Sequence, residues 1–203
     1  GCPWDKVQTH TSIRMNFLEE AYEAVDALDL DDPVLMCEEL GDVLMQVAFH
    51  TCMEQETGRF TWEQVCDGVC QKLIERHPNI FGTQPGYEGI TDWDALKNKE
   101  KGRRTLADDL ESVPRAMPAL MRAAKLQKRA ARHGAALQGA DAAALADAAE
   151  NLQTAQPASA QAEQAVGELL FAAANLARQA GVDPEQALQK ANEAFCTAAG
   201  PVA

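Results

Sequence analysis

Two short acidic motifs carry the side chains of this sequence that are best suited to chemistry. The first places Glu20 and Glu23 three residues apart, and the second places Glu39 and Asp42 at the same spacing. On a helix, residues three apart project from one face, so each motif presents two carboxylates together. If two antiparallel helices brought the motifs face to face, four carboxylates would repel one another strongly unless a cation lay among them. Because the set offers oxygen ligands and neither Cys nor His, the pattern indicates Mg²⁺, with Mn²⁺ as a substitute.

An acidic helix surface in solvent is the plainer interpretation of either motif alone. The second motif, however, leads into residues 40–49, which are apolar nearly all the way round a helix. We therefore expect this helix to be buried, which would place Asp42 among apolar neighbours. A carboxylate there is costly unless it is paired, protonated or metal-bound. Since no Lys or Arg occurs between Arg14 and Arg59, a metal ion is the simplest partner.

The composition favours an all-α protein that does not bind nucleic acid. The 203 residues are rich in Ala and Leu, only 5% are aromatic, and runs of β-branched residues are missing. A formal net charge of -13 argues against a nucleic-acid partner, and it means that an anionic substrate would need a metal ion to approach. No apolar run is long enough to span a bilayer, so we expect no membrane partner. The six cysteines form no CxxC motif, which favours small buried residues or free thiols in a reducing cytoplasm.

Capping and turn residues predict where the helices begin and end. Asp32 is typical of a helix cap, and the helix that follows it is predicted to end at Gly58. Thr61 is predicted to begin the next helix, which ends at Arg76 before a His-Pro pair. Residues 79–92 are rich in Gly and Pro and are predicted to form a surface loop.

The sequence indicates two tandem helical units: a first unit at residues 1–107, a linker at 108–117 and a second unit at 118–203. The second unit repeats the first, since Ala-Val-Gly-Glu-Leu-Leu-Phe at 165–171 echoes Glu-Leu-Gly-Asp-Val-Leu-Met at 39–45. In this copy an alanine replaces the first glutamate, so the four-carboxylate set is incomplete and we expect the unit to be structural.

Two segments carry further expectations. Residues 134–162 are rich in Ala and Gln with weak patterning, so we expect low order there. The chain opens at Gly1 without an initiating Met, so we expect a fragment whose first helix is missing.

These features together resemble the MazG family of nucleoside triphosphate pyrophosphohydrolases. The resemblance rests on Cys-Pro-Trp-Asp at 2–5, Gly-Arg-Phe at 58–60, Arg-His-Pro at 76–78 and the acidic motifs between them. The family pattern is EExxE followed by ExxD, and this chain matches it with Glu19, Glu20, Glu23, Glu39 and Asp42.

The resemblance implies an all-α, usually dimeric protein that cleaves nucleoside triphosphates to monophosphates and pyrophosphate with Mg²⁺, as in house-cleaning of the nucleotide pool. It implies metal ligation by four residues, namely Glu20, Glu23, Glu39 and Asp42. Glu19 or Glu38 would orient the attacking water or take its proton.

The resemblance also assigns residues to the substrate. Lys72 and Arg76, four residues apart on the third helix, would hold the phosphates. Trp93 and Lys97, on a short helix predicted for residues 93–101, would approach the base or the phosphate tail.

Two other classes of protein remain open. A di-iron carboxylate oxidase also uses Glu pairs on facing helices, but it needs Glu-x-x-His, and no His lies three residues after any of the four acids. A non-catalytic helical module for dimerisation or nucleotide sensing would share the same ligands. Assaying pyrophosphate against orthophosphate release from each nucleotide separates these classes.

Overall fold

The computed structural model describes residues 2–82, 100–102 and 105–200, and these ranges contain helices and no strand, which confirms the all-α class. Chain contacts divide the protein into two compact units, Gly1–Trp93 and Asp94–Ala203. The bounds at residues 107 and 118 stay a prediction. None of the described helices is both long and apolar enough to cross a membrane.

The first unit is built on a helical hairpin. After a short 3-10 turn at Asp5–Val7, its helices are α1 (Arg14–Asp29), α2 (Pro33–Glu56), α3 (Trp62–Arg76) and α4 (Pro78–Phe81). Only three residues join α1 to α2, so the two helices run antiparallel and pack against each other. Helix α3 packs on α2, and α4 lies at the start of the segment predicted to be a loop.

Local capping fixes the ends of these helices as predicted. The Asp32 carboxylate accepts hydrogen bonds from the backbone N–H groups of the first turn of α2, at 2.9 and 3.2 Å. Thr61 and Gln64 form a reciprocal capping box at the start of α3. Gly58 adopts a φ of 72° after α2, a conformation that costs glycine little. The predicted boundaries at Asp32, Gly58 and Thr61 are confirmed.

A histidine pair fastens the N-terminal segment to α2. The His10 and His50 rings stack with centroids 5.0 Å apart, and their Nδ1 atoms lie 2.7 Å apart, so one must carry the proton that the other accepts. Glu54, which is buried, binds His10 Nε2 at 2.5 Å and Arg59 Nε at 2.6 Å. These contacts attach both the turn after α2 and the segment before α1 to helix α2.

The prediction that α2 is buried is wrong for this chain. Leu40, Leu44 and Met45 are 51%, 56% and 45% exposed. Helices α1 and α3 pack on α2, but these apolar side chains of α2 remain exposed. Helix α1 also carries exposed apolar side chains, since its Tyr22 and Val25 are about half exposed.

The second unit contains α5 (Leu106–Glu111), α6 (Ala119–Arg132), α7 (Ala142–Thr154), α8 (Ala160–Gln179) and α9 (Pro184–Ala199). Helices α7 and α8 pack along each other around small side chains such as Ala148 and Ala172, which are fully buried. The expectation of low order at residues 134–162 is wrong, because Asp141 caps α7 and Ala is the strongest helix former.

A buried ion pair joins α5 to α6, so the segment predicted to be a linker contains part of a packed helix. Thr105 and Asp108 form a capping box at the start of α5. The carboxylate of Asp109, which is 1% exposed, lies 2.9 Å from Arg129 Nη1 and 3.3 Å from His133 Nε2. The sequence did not predict this contact, because its partners lie 20 or more residues further along the chain.

Candidate metal centre

Three of the four predicted metal ligands meet on the α1–α2 hairpin. Glu20 and Glu23 of α1 and Glu39 of α2 each offer one carboxylate oxygen, and these oxygens all lie within 4.8 Å of one another. Glu20 and Glu39 are half-buried, whereas Glu23 is exposed. Asp42, also half-buried, is not part of this group, although it lies close enough on α2 to act on Glu39 electrostatically. The antiparallel hairpin therefore brings the two motifs together.

The carboxylates of this cluster repel one another. The pKa values of Glu23 and Glu39 are both raised, first by partial desolvation and then by neighbouring negative charges. For the pKa of Glu23 the main neighbouring charges are, in order, those of Glu39, Glu20 and Glu19. For the pKa of Glu39 they are those of Asp42, Glu38 and Glu20. A divalent cation would remove this penalty by favouring the ionised carboxylates.

The donor set fits a hard divalent cation. Carboxylate oxygens from two helices are the ligands that Mg²⁺ and Mn²⁺ prefer. Within the described ranges no Lys or Arg forms an ion pair with Glu20, Glu23 or Glu39, so protein cations do not neutralise the cluster there. In residues 105–200, no three acidic, His or Cys side chains come close enough to share a metal ion.

Gln46 is a buried side chain that contacts the cluster, and its role was not predicted from the sequence. This side chain is 6% exposed, and its Nε2 donates a hydrogen bond of 3.3 Å to Glu20 Oε1. Its Oε1 is buried and has no hydrogen-bond partner in the described structure. The signal was present, because Gln46 follows Glu39 and Asp42 at the spacing i, i+3, i+7 on one face of α2. A polar residue at that position fixes a ligand rather than filling the core.

The remaining predicted site residues lie on α1, α2 and α3 or outside the described residues. Glu19 on α1 and Glu38 on α2 are exposed and adjacent in sequence to cluster members. Lys72, exposed, and Arg76, half-buried, lie one turn apart at the end of α3. The predicted contacts of Trp93 and Lys97 lie outside the described residues.

A family model described as the MazG nucleotide pyrophosphohydrolase domain matches residues 8–81, which include α1, α2 and α3. The helical hairpin and its acidic motifs therefore define the class, an all-α nucleotide pyrophosphohydrolase domain. A nucleoside triphosphate pyrophosphohydrolase of Escherichia coli (strain K12) is 40% identical over 204 residues, which cover 96% of this chain and 78% of that protein. The chain belongs to the MazG family.

Relatives in other bacteria show the same similarity. The Thermotoga maritima protein named nucleoside triphosphate pyrophosphohydrolase/pyrophosphatase MazG is 39% identical over 197 residues, covering 96% of this chain and 76% of that protein. A nucleoside triphosphate pyrophosphohydrolase of Mycobacterium tuberculosis is 38% identical over 136 residues, which cover 65% of this chain and 41% of that protein. The similarity to the first two proteins spans both helical units.

Proposed function

We propose that the first unit hydrolyses nucleoside triphosphates to monophosphates and pyrophosphate with Mg²⁺, or Mn²⁺ in its place. The observation that carries this proposal is the meeting of Glu20, Glu23 and Glu39 within 4.8 Å on the segment that matches the family model. Asp42, three residues after Glu39 on the same face of α2, would be the fourth ligand. Relatives named for this activity, aligned over nearly the whole chain, support the same assignment.

In this mechanism the protein positions a water molecule against the α-phosphorus. When bound, the metal ion neutralises charge on the phosphate oxygens and lowers the pKa of water. Glu19 or Glu38, each beside a ligand, accepts the proton of the attacking water. The bond between the α-phosphorus and the bridging oxygen breaks, and pyrophosphate leaves. Lys72 and Arg76 stabilise the negative charge that develops on this leaving group.

Gln46 acts in this proposal by orientation. Its amide N–H fixes one oxygen of Glu20, which would leave the other oxygen available as a metal ligand. The buried Oε1 of Gln46 would be available to accept a hydrogen bond from water at this site. Glutamine supplies both the donor and the acceptor, which leucine at this position would not.

A pyrophosphate-release assay with each nucleoside triphosphate at saturating Mg²⁺ tests the proposal. We expect Glu39→Gln to lower turnover by about 10²–10³-fold, as for loss of a strong electrostatic contact in the transition state. Glu56→Gln makes the same change at an exposed position of α2 and should retain activity. Release of orthophosphate instead of pyrophosphate would contradict the mechanism, and nucleotide binding without turnover would favour the sensing module.

We also propose that the first unit forms a homodimer through the exposed apolar side of its hairpin. Leu40 and Leu44 of α2 and Tyr22 and Val25 of α1 are exposed apolar side chains of the kind that associating proteins cover. We expect a mass in solution of twice 22.0 kDa and a shift to the monomer mass in Leu44→Glu. The same change at Leu188 of α9 is the control, and a monomeric parent protein would refute the dimer.

The thiols bear on the cellular compartment. All six cysteines are free and exposed, so the interpretation of them as small buried residues is wrong. A protein with six unpaired surface thiols fits a reducing compartment, so we propose a cytoplasmic location.

A further inference from the structure

A basic cleft in the second unit has no role in the proposed reaction. Helix α6 forms one wall, and the end of α8 with the turn at residues 181–184 forms the other, enclosing about 720 Å³. Lys125, Lys128 and Arg132 follow one face of α6 at the spacing i, i+3, i+7. Arg178 faces them from the end of α8. Four cations from two helices thus meet across one opening.

The concentration of positive charge here is at odds with the rest of the chain. The protein carries 18 Lys and Arg against 31 Asp and Glu, yet the side chains that line the cleft include five cations and one acid. That acid, Asp183, is engaged as the cap of α9, where its Oδ1 accepts from two backbone N–H groups at 3.0 Å. Arg129 and Arg132 lie 2.9 and 3.7 Å from carboxylate oxygens of Asp109, and Arg178 Nε donates to Asn175 Oδ1 at 2.9 Å. Glu185 accepts from the backbone N–H of Met121, which lines the cleft. Lys125 and Lys128 are exposed at the opening.

The shape of the cleft selects the type of anion. Seven residues of helix separate Lys125 from Arg132, which is a span of about 10 Å, so the row of cations matches several linked phosphates better than a single one. The walls between the cations are apolar and come from Met117, Met121 and Val182. Concave sites of several hundred Å³ with apolar walls and a few charged groups suit small ligands. A long polynucleotide would be repelled by the net charge of the chain.

We infer that this cleft binds a condensed phosphate chain, either free as an inorganic polyphosphate or as the tail of a nucleotide. Lys and Arg side chains alone neutralise the phosphates, so binding does not require a metal ion. This property separates the cleft from the carboxylate cluster of the first unit, which attracts phosphates only through a cation. On this inference the second unit binds a phosphate chain although its four-carboxylate motif is incomplete.

Calorimetric titration of the full chain in excess EDTA tests this inference, with inorganic pyrophosphate, tripolyphosphate and ATP as the probes. We expect the wild-type protein to bind tripolyphosphate, and Lys125→Ala/Lys128→Ala to weaken that binding by about tenfold or more, since two charge-assisted contacts are lost. Lys6→Ala/Lys190→Ala removes two exposed lysines elsewhere and should bind as the wild type does. Thermal unfolding of each variant checks that the fold is retained.

The arms of the experiment separate the alternatives. Equal affinity for tripolyphosphate and ATP supports recognition of the phosphate chain alone, whereas tighter binding of ATP supports a nucleotide whose nucleoside contacts the methionine wall. Absence of binding in EDTA overturns the inference. Binding that survives Lys125→Ala/Lys128→Ala but is lost in Lys72→Ala/Arg76→Ala also overturns it, because the phosphates would then lie in the first unit. Neither result bears on turnover at the carboxylate cluster.

Discussion

Replacing Asp109 by Asn tests whether one buried ion pair holds α5 on α6. Asp109 and Arg129 are 1% and 9% exposed, and their Oδ1 and Nη1 atoms lie 2.9 Å apart. The same guanidinium donates to the backbone carbonyl of Asp109 and to the hydroxyl of Ser112. Removing the carboxylate charge leaves a buried guanidinium with neutral partners only. Breaking such a pair costs about 3–5 kcal/mol, a large fraction of the roughly 5–15 kcal/mol that stabilises a domain.

Urea unfolding of the full chain, followed by helical circular dichroism, gives the change in the free energy of unfolding. Arg132→Ala is the matched control, because its Nη2 is 3.7 Å from Asp109 Oδ2 and its side chain is 30% exposed. Because the Arg132 guanidinium is partly exposed and its contact with Asp109 is long, we expect its loss to cost only about 1 kcal/mol. The double replacement Asp109→Leu/Arg129→Met should recover most of the loss, since apolar partners avoid the desolvation penalty. A loss in Asp109→Asn no larger than that of Arg132→Ala would refute the reasoning.

Three further predictions concern the first unit. The pKa of Glu39 is raised, so its ionised form increasingly opposes folding as pH rises through that pKa. Glu39→Gln should therefore raise the melting temperature in EDTA at neutral pH. An unchanged or lower melting temperature would contradict this. The pKa of His50 is lowered by desolvation and by the charge of His10, so the contribution of His50 to stability is complete above pH 6.5 and declines below that pH. His50→Gln should reduce the fall of the melting temperature on acidification. The same fall in the variant as in the parent protein would contradict this. Lys72→Ala/Arg76→Ala should lower kcat/KM for nucleoside triphosphates by about 10²-fold while leaving Mg²⁺ binding intact, and an unchanged kcat/KM would remove these side chains from the site.

The elements that could be predicted from the sequence are those set by local chemistry. Asp32 and Thr61 cap helices through backbone N–H groups within three residues, so their roles can be read along the chain. The pairing of acidic motifs follows from helical periodicity and a short connection, which is why Glu20, Glu23 and Glu39 meet as expected. That these side chains bind a metal ion stays a prediction.

Other features depend on contacts that a linear pattern does not contain. The apolar composition of α2 indicates burial, but whether Leu44 is covered depends on which partner packs there. The Ala-rich sequence of α7 shows little amphipathic pattern, although its packing on α8 and the cap at Asp141 make it a regular helix. Asp109 lies in the segment predicted to be a linker, and its buried partner Arg129 is 20 residues away along the chain.

The most direct measurement of the central claim is a calorimetric titration of the metal-free protein with Mg²⁺ and with Mn²⁺. We predict saturable binding that is lost in Glu20→Gln and in Glu39→Gln and retained in Glu56→Gln. Absence of binding, or binding that survives both replacements in the cluster, would contradict the claim that these carboxylates converge in order to hold a divalent cation.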